Sequence, residues 1–215
     1  MRNRLIVAAL IAVLAACSGA KEYAKQDEAA KPAAPPPAEY KVRFETTKGP
    51  FVIEVKREWA PRGADHFHEL VSSRFYDGTR FHRVIRGFVV QFGINGNPKK
   101  NAMWSTTRIP DESPKPAKPL KNKKGTITFA VLGANSRATQ VFINLRDNLD
   151  LDKSGFLPFG RVIEGMDIVE KLYYSYGELM PRGSGPDPEK SEMMGETNFA
   201  RTFPRLDKIE KAVIE

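Results

Sequence analysis

The stretch YKVRFETTKGPFVIEVKRE alternates apolar and polar residues twice, over 41–46 and 51–56, with Lys48-Gly49-Pro50 between the two runs. A period of two puts alternate side chains on opposite faces of a strand, and two such runs joined by turn residues form a β-hairpin. Further strand-length runs follow at 80–85, 87–92, 126–131 and 140–145, separated by loops rich in Gly, Asn, Lys and Pro. Two helical patterns interrupt them. Pro61 opens PRGADHFHELVSSRFY, in which Ala64, Phe67, Leu70 and Val71 recur at helical spacing. In EGMDIVEKLYY, residues 164–174, Met166, Val169, Leu172 and Tyr173 share one helical face. The series predicts a mainly β fold, an antiparallel barrel whose open ends are covered by two helices. At 215 residues the chain has length for one full core, and there is no internal repeat. The last segment, DKIEKAVIE, suits either a final barrel strand beside the first one or a helix carrying Leu206, Ile209 and Val213. The Pro- and Gly-rich stretch before it, 178–205, reads as a surface loop of unreadable function.

The start of the chain reads as a processing signal. Residues 1–16 join a basic MRNR to the apolar LIVAALIAVLAA, which is too short to span a bilayer comfortably. Leu14-Ala15-Ala16-Cys17 resembles the lipobox of bacterial lipoproteins, and Cys17 is the one cysteine. The resemblance implies cleavage before Cys17 and acylation of its sulfur. The expected product is an exported domain tethered to a bacterial membrane, with Ser18 implying the outer membrane facing the periplasm. Loss of Arg2 and Arg4 with the signal takes the formal charge from +8 to +6. Residues 17–39 then hold the lipidated cysteine and an Ala/Pro-rich linker that reaches at most roughly 70 Å when extended. The globular domain is expected over 40–215.

Charge and composition narrow the function. The 34 Lys and Arg are interspersed with 26 Asp and Glu and form no basic block, so the excess is read as solvated surface, with no nucleic-acid partner. Asp65, His66, His68 and His82 do not make a metal site, because a helix presents ligands at i and i+3 or i+4 while His66 and His68 stand at i and i+2. No nucleophile elbow or phosphate-binding glycine loop is present, no acid pair is obvious, and acylation removes the thiol. The remaining anomaly is Arg83 inside the apolar run FHRVIRGFVVQFG, residues 81–93, with Gln91 nearby. Alone, such an arginine is a solvated rung or an ion-pair partner.

Its context suggests more. Phe81-His82-Arg83-Val84-Ile85, Gly87-Phe88 and Gln91 are followed by GTITFAVLGANSRATQVFINL and then by FGRVIEGMDIV. Over 41–174 the chain resembles the cyclophilins, peptidyl-prolyl cis-trans isomerases. The resemblance implies an eight-stranded antiparallel β-barrel capped by two α-helices, proline-containing polypeptides as partners, no cofactor, and a monomer. It implies Arg83 as the catalytic residue. It also places Phe88, Val89, Phe142 and Leu151 in a proline pocket, Gln91 and Gln140 as polar groove residues, and Ala130 and Val131 along the bound peptide, Val131 through its backbone. The chain departs from the family at Arg86, Val89 and Phe92, and at Asp150 and Phe156, where an aromatic residue and a histidine are usual. Those last two changes imply a groove wall more acidic at 150 and more apolar at 156, weak binding of cyclosporin, and a changed substrate preference. The reading is an isomerase assisting the folding of exported chains, and the alternative is a tethered proline-peptide-binding scaffold with little turnover.

Overall fold

The hairpin that opens the domain pairs β1 (Glu39–Thr46) with β2 (Phe51–Lys56) in antiparallel register, Val42 opposite Ile53 and Phe44 opposite Phe51. Tyr40, Val42 and Phe44 point inward from β1, while Phe51, Ile53 and Val55 do so from β2. The computed structural model describes residues 35–113 and 115–215, of which 36–215 belong to one compact unit. The signal segment, Cys17 and the linker as far as residue 34 lie outside the described residues.

The remaining strands are β3 (Arg83–Ile85), β4 (Val89–Phe92), β5 (Thr126–Phe129), β6 (Val141–Asn144), β7 (Gly160–Glu164) and β8 (Ile209–Ile214). They form one curled antiparallel sheet in the order β3-β4-β6-β5-β7-β2-β1-β8. The two edges meet just before β3 and β8. Arg80 bridges Lys208, Phe81 N–H donates to the Asp207 carbonyl at 3.0 Å, and Ile209 N–H donates to the Thr79 carbonyl at 2.8 Å. This short seam brings together the polar backbone groups that an open edge would leave unpaired. Of the two possibilities for the last segment the strand is realised, with Ala212 opposite Phe44 on β1.

Inside the barrel, Phe44, Phe51, Phe67, Tyr76, Phe81 and Phe92 pack together, Phe44 stacked on Phe51 with centroids 4.8 Å apart. Phe92, one of the departures from the cyclophilin pattern that the sequence resembles, meets Phe44, Tyr76 and Phe81 edge-on in that core. Gly93 beside it could not change in the same way: its φ is +110°, and a Cβ there would lie 2.3 Å from the Thr139 carbonyl oxygen.

Helix content differs from the two helices expected. The described residues hold α1 (Pro61–Ser72), α2 (Pro98–Ser105), α3 (Asp150–Lys153), α4 (Met166–Glu170), α5 (Pro188–Met194) and α6 (Glu196–Thr202). Helix α1 begins at Pro61 as expected and buries Ala64, Phe67, Leu70 and Val71. The pattern over 164–174 gives only the short α4, which starts after left-handed Gly165; the chain then turns so that Tyr173 N–H reaches Asp207 Oδ2 at 2.7 Å. The 178–205 stretch is not merely a surface loop. It contributes α5 and α6, and its Phe199 and Phe203 form a second small core with Ile94 and Leu206. Arg80, buried at the seam, binds this segment by donating Nε–H to Glu196 at 3.0 Å and Nη1–H to the Leu206 carbonyl at 2.8 Å.

Candidate active site

Strand alternation explains the arginine in the apolar run. Val84, Val90, Phe92, Val141 and Ile143 belong to the core cluster, so their neighbours Arg83, Val89, Gln91 and Phe142 face the other side of the same sheet. Register then aligns the chemistry: Arg83 lies opposite Gln91, and Gln91 opposite Phe142. A cation, an amide and an aromatic ring stand side by side on adjacent strands, on the floor of a cleft of about 490 Å³.

All the sequence-derived substrate residues border this cleft: Phe88, Val89, Gln91, Ala130, Val131, Gln140, Phe142 and Leu151, together with Arg83. One end is apolar. Phe142 meets Phe156 edge-on with centroids 5.6 Å apart, and Leu151 lies alongside. Helix α3, which carries Leu151, and the turn after it, which carries Phe156, are fixed by Asn122, whose side-chain amide donates to Asp152 Oδ1 at 2.8 Å and to the Phe156 carbonyl at 2.9 Å. Phe88 is held from the same side, its carbonyl accepting Asn148 Nδ2–H at 3.0 Å and Leu145 N–H at 2.8 Å. Ala130 N–H meets the Gln140 carbonyl at 2.9 Å, and Val131 follows beyond the end of β5, along the opening.

The polar end is a continuous network. Arg83 donates Nε–H and Nη2–H to the two oxygens of Glu178, at 2.6 and 2.7 Å, and Nη1–H to Gln91 Oε1 at 3.1 Å. Its guanidinium carbon lies 5.6 Å from the centre of the Phe88 ring. Gln91 passes an N–H to Gln140 Oε1 at 2.9 Å, and Gln140 passes one to Glu192 Oε1 at 3.0 Å. The Arg83 guanidinium holds the Glu178 carboxyl below its ordinary pKa, while burial pushes the Glu192 carboxyl up against the bond from Gln140. Under the floor His82 is fully buried, with no hydrogen-bond partner for either ring nitrogen among the described residues, and burial lowers its pKa to about 4. At neutral pH it is an uncharged ring.

One expectation fails. Asp150 does not make the groove wall acidic: its side chain is 98% exposed and pairs with Lys153 at 3.2 Å. It opens α3, where Leu151 turns toward the cleft and Asp150 toward water. The acidic groups at the cleft are Glu178, Glu189 and Glu192, all from the segment whose role was unreadable, and Arg108 and Arg182 also border it. Sequence reasoning missed these residues because nothing local ties position 178 to position 83. A weak signal was available in Asp187-Pro188, a capping residue before a proline, which marks the start of α5.

Comparison with known proteins agrees with this geometry. Residues 41–183 match the model of the cyclophilin type peptidyl-prolyl cis-trans isomerase family. A peptidyl-prolyl cis-trans isomerase of Acinetobacter baylyi is 37% identical over 137 residues, 61% of this chain and 70% of that protein. Peptidyl-prolyl cis-trans isomerase B of Escherichia coli is 35% identical over 139 residues, 61% of this chain and 82% of the relative. The crystal structure of a cyclophilin type isomerase from Cryptosporidium parvum superposes with a TM-score of 0.58 at 22% identity, covering 82% of this chain and 98% of that one, a likeness of fold. The barrel, the cleft on its outer face and the family match converge: the chain belongs to the cyclophilin-type peptidyl-prolyl cis-trans isomerases and is an enzyme of that class.

Proposed function

We propose that this isomerase acts on Xaa-Pro bonds of exported polypeptides while tethered through acylated Cys17 to a bacterial membrane, on its periplasmic side, with Arg83 as its catalytic residue. The observation that carries the mechanism is the alignment of Arg83, Gln91 and Phe142 on three adjacent strands at one cleft. A related cyclophilin type isomerase from C. parvum was crystallised in the presence of the dipeptide Ala-Pro, which supports a proline-containing peptide as the occupant of such a cleft.

The chemistry is rotation about an amide. The barrier of about 18–20 kcal/mol is lost resonance, and no bond is broken. In the twisted state the prolyl nitrogen regains its lone pair and becomes an acceptor. Phe88, Val89, Phe142 and Leu151, with Phe156 beside them, hold the pyrrolidine ring, and Arg83 donates toward the nitrogen. The donation is stronger in the twisted state than in either planar one and therefore lowers the barrier. Bringing an event of ~100 s to ~1 ms needs about five powers of ten, roughly 7 kcal/mol. Arginine keeps its proton at all relevant pH, and no step requires an acid or a base.

Arg83 has N–H bonds to spare. Of the five on a guanidinium, Glu178 takes two and Gln91 one, which leaves one hydrogen on each Nη atom. The tethering half of the proposal rests on the basic start, the apolar run and Cys17. Intact-mass measurement of the protein from a bacterial membrane fraction, beside an Xaa-Pro isomerisation assay of the same material, tests both halves. A mature chain beginning at an acylated Cys17 and turning over proline peptides is expected. An unmodified Cys17 within a longer mature chain rejects the tether.

A further inference from the structure

Glu178 makes two short bonds to the guanidinium that the mechanism requires, yet nothing in that mechanism calls for an anion. Its surroundings are built. Leu179 N–H donates to Glu178 Oε1 at 2.8 Å, Gly185 N–H donates to the Glu178 carbonyl at 2.8 Å, and Leu179 bridges Gly185 in parallel. The loop folds back on this residue so closely that a Cβ at Gly183 would lie 2.4 Å from the Glu178 carbonyl oxygen and 2.8 Å from the Glu178 Cβ, and one at Gly185 would lie 2.7 Å from the same oxygen. Both positions therefore require glycine. Among the described residues no other carboxylate pairs with Arg83, whose side chain is only 15% exposed.

We propose that Glu178 is a positioning residue for the isomerisation, acting through Arg83 rather than on the substrate. An arginine side chain free in a cleft samples many rotamers, and a planar fork onto a carboxylate removes that freedom in one orientation. Here the fork uses Nε and one side of Nη2, and Gln91 takes Nη1. The remaining Nη hydrogens are fixed in direction before substrate arrives. Pairing also reduces the net field of the cation at the prolyl nitrogen. Direction outweighs field in this site, because the donated hydrogen bond survives pairing, whereas a misplacement of about 1 Å can cost a hundredfold in rate.

This inference rests on the reading of Arg83 as the catalytic donor, and the test separates the two. In the full chain, Glu178→Ala is expected to lower kcat roughly tenfold with KM changed less than about twofold, part of the penalty for a misplaced group. Glu178→Gln, which keeps the shape and one acceptor, is expected to lose less than the alanine variant. The Arg83 Nε–H signal in nuclear magnetic resonance is expected to be slow to exchange in the parent and fast in Glu178→Ala. The double variant Arg83→Ala/Glu178→Ala is expected to match Arg83→Ala alone. Parental or higher kcat in Glu178→Ala overturns the proposal, higher kcat marking the pair as a brake, and so does an additional loss in the double variant. If Arg83→Ala turns over like the parent, the donor reading falls and this inference with it; if Arg83→Ala is inactive while Glu178→Ala is unimpaired, only the inference falls.

Discussion

Phe142 and Ile143 are consecutive residues on β6 whose side chains serve different ends, and truncating each separates binding from folding. Ile143 is fully buried in the barrel core between Val90 on β4 and Ile127 on β5. Ile143→Ala leaves a hole among rigid neighbours and should cost about 3 kcal/mol of stability. Phe142 faces the cleft, 5% exposed, with Phe156 as its aromatic partner. Its removal loses an aromatic pair worth about 0.5–1.5 kcal/mol, and water can enter the space left, so a smaller loss of about 1–2 kcal/mol is expected. Turnover responds in the opposite order. A pyrrolidine ring has three methylenes, each worth about 0.8 kcal/mol when buried, and Phe142 is one of the two phenylalanine walls at the apolar end. If half of that burial is lost, kcat/KM falls by about 1.2 kcal/mol, between fivefold and tenfold. The pocket grips proline in the planar and the twisted states alike, so the change should appear in KM. Urea melts and protease-free isomerisation of an Xaa-Pro peptide read both quantities. A Phe142→Ala protein with kcat/KM within twofold of the parent, or an Ile143→Ala protein as stable as the parent, would refute the assignment of faces.

Glu112→Ala should destabilise the fold by about 3–5 kcal/mol in urea, because Glu112 is almost fully buried and accepts Arg137 Nη1–H at 3.0 Å and Gly63 N–H at 3.0 Å, so its loss strands a buried cation. Stability should also fall with acid through His82. Its folded pKa of about 4 lies below the ordinary 6.5, so the unfolded chain binds the extra proton and stability is lost as pH drops from about 6.5 to 4, by up to roughly 3 kcal/mol. The raised Glu192 carboxyl works in the opposite direction in acid, so the comparison is parent against His82→Phe, whose urea midpoint should vary less between pH 7 and 4.5. An equal acid dependence in the two proteins would show that His82 is not the group responsible.

What was legible in the sequence was what repeats locally. The β1–β2 hairpin shows in period-two alternation, and α1 shows in Ala64, Phe67 and Leu70 behind Pro61. Strand β7 was missed because only Gly160 of its five residues is buried, which leaves no apolar face to read. Helices α2 and α5 were missed for a related reason. Their buried residues are Asn101 and Ser191, so neither has an apolar stripe, and both are announced only by a cap and a proline, Asn97-Pro98 and Asp187-Pro188. At the cleft, the residues carried by β3, β4 and β6 were found from ordered motifs. Glu178 and Glu192 could not be found in that way. Their partners Arg83 and Gln140 lie 95 and 52 positions away, and the contacts exist only once 178–205 has folded against the barrel. Asp150 shows the converse error: its alignment was read as a wall, but the first residue of a four-residue helix can face water.

Whether a single guanidinium in the cleft supplies the catalytic donor is read from kcat for Arg83→Ala in a protease-free Xaa-Pro assay, with urea stability measured on the same protein. A fall in kcat of about a hundredfold or more is expected, in line with removal of one preorganised donor, with a stability change small beside it. A folded Arg83→Ala protein with the kcat of the parent would contradict it.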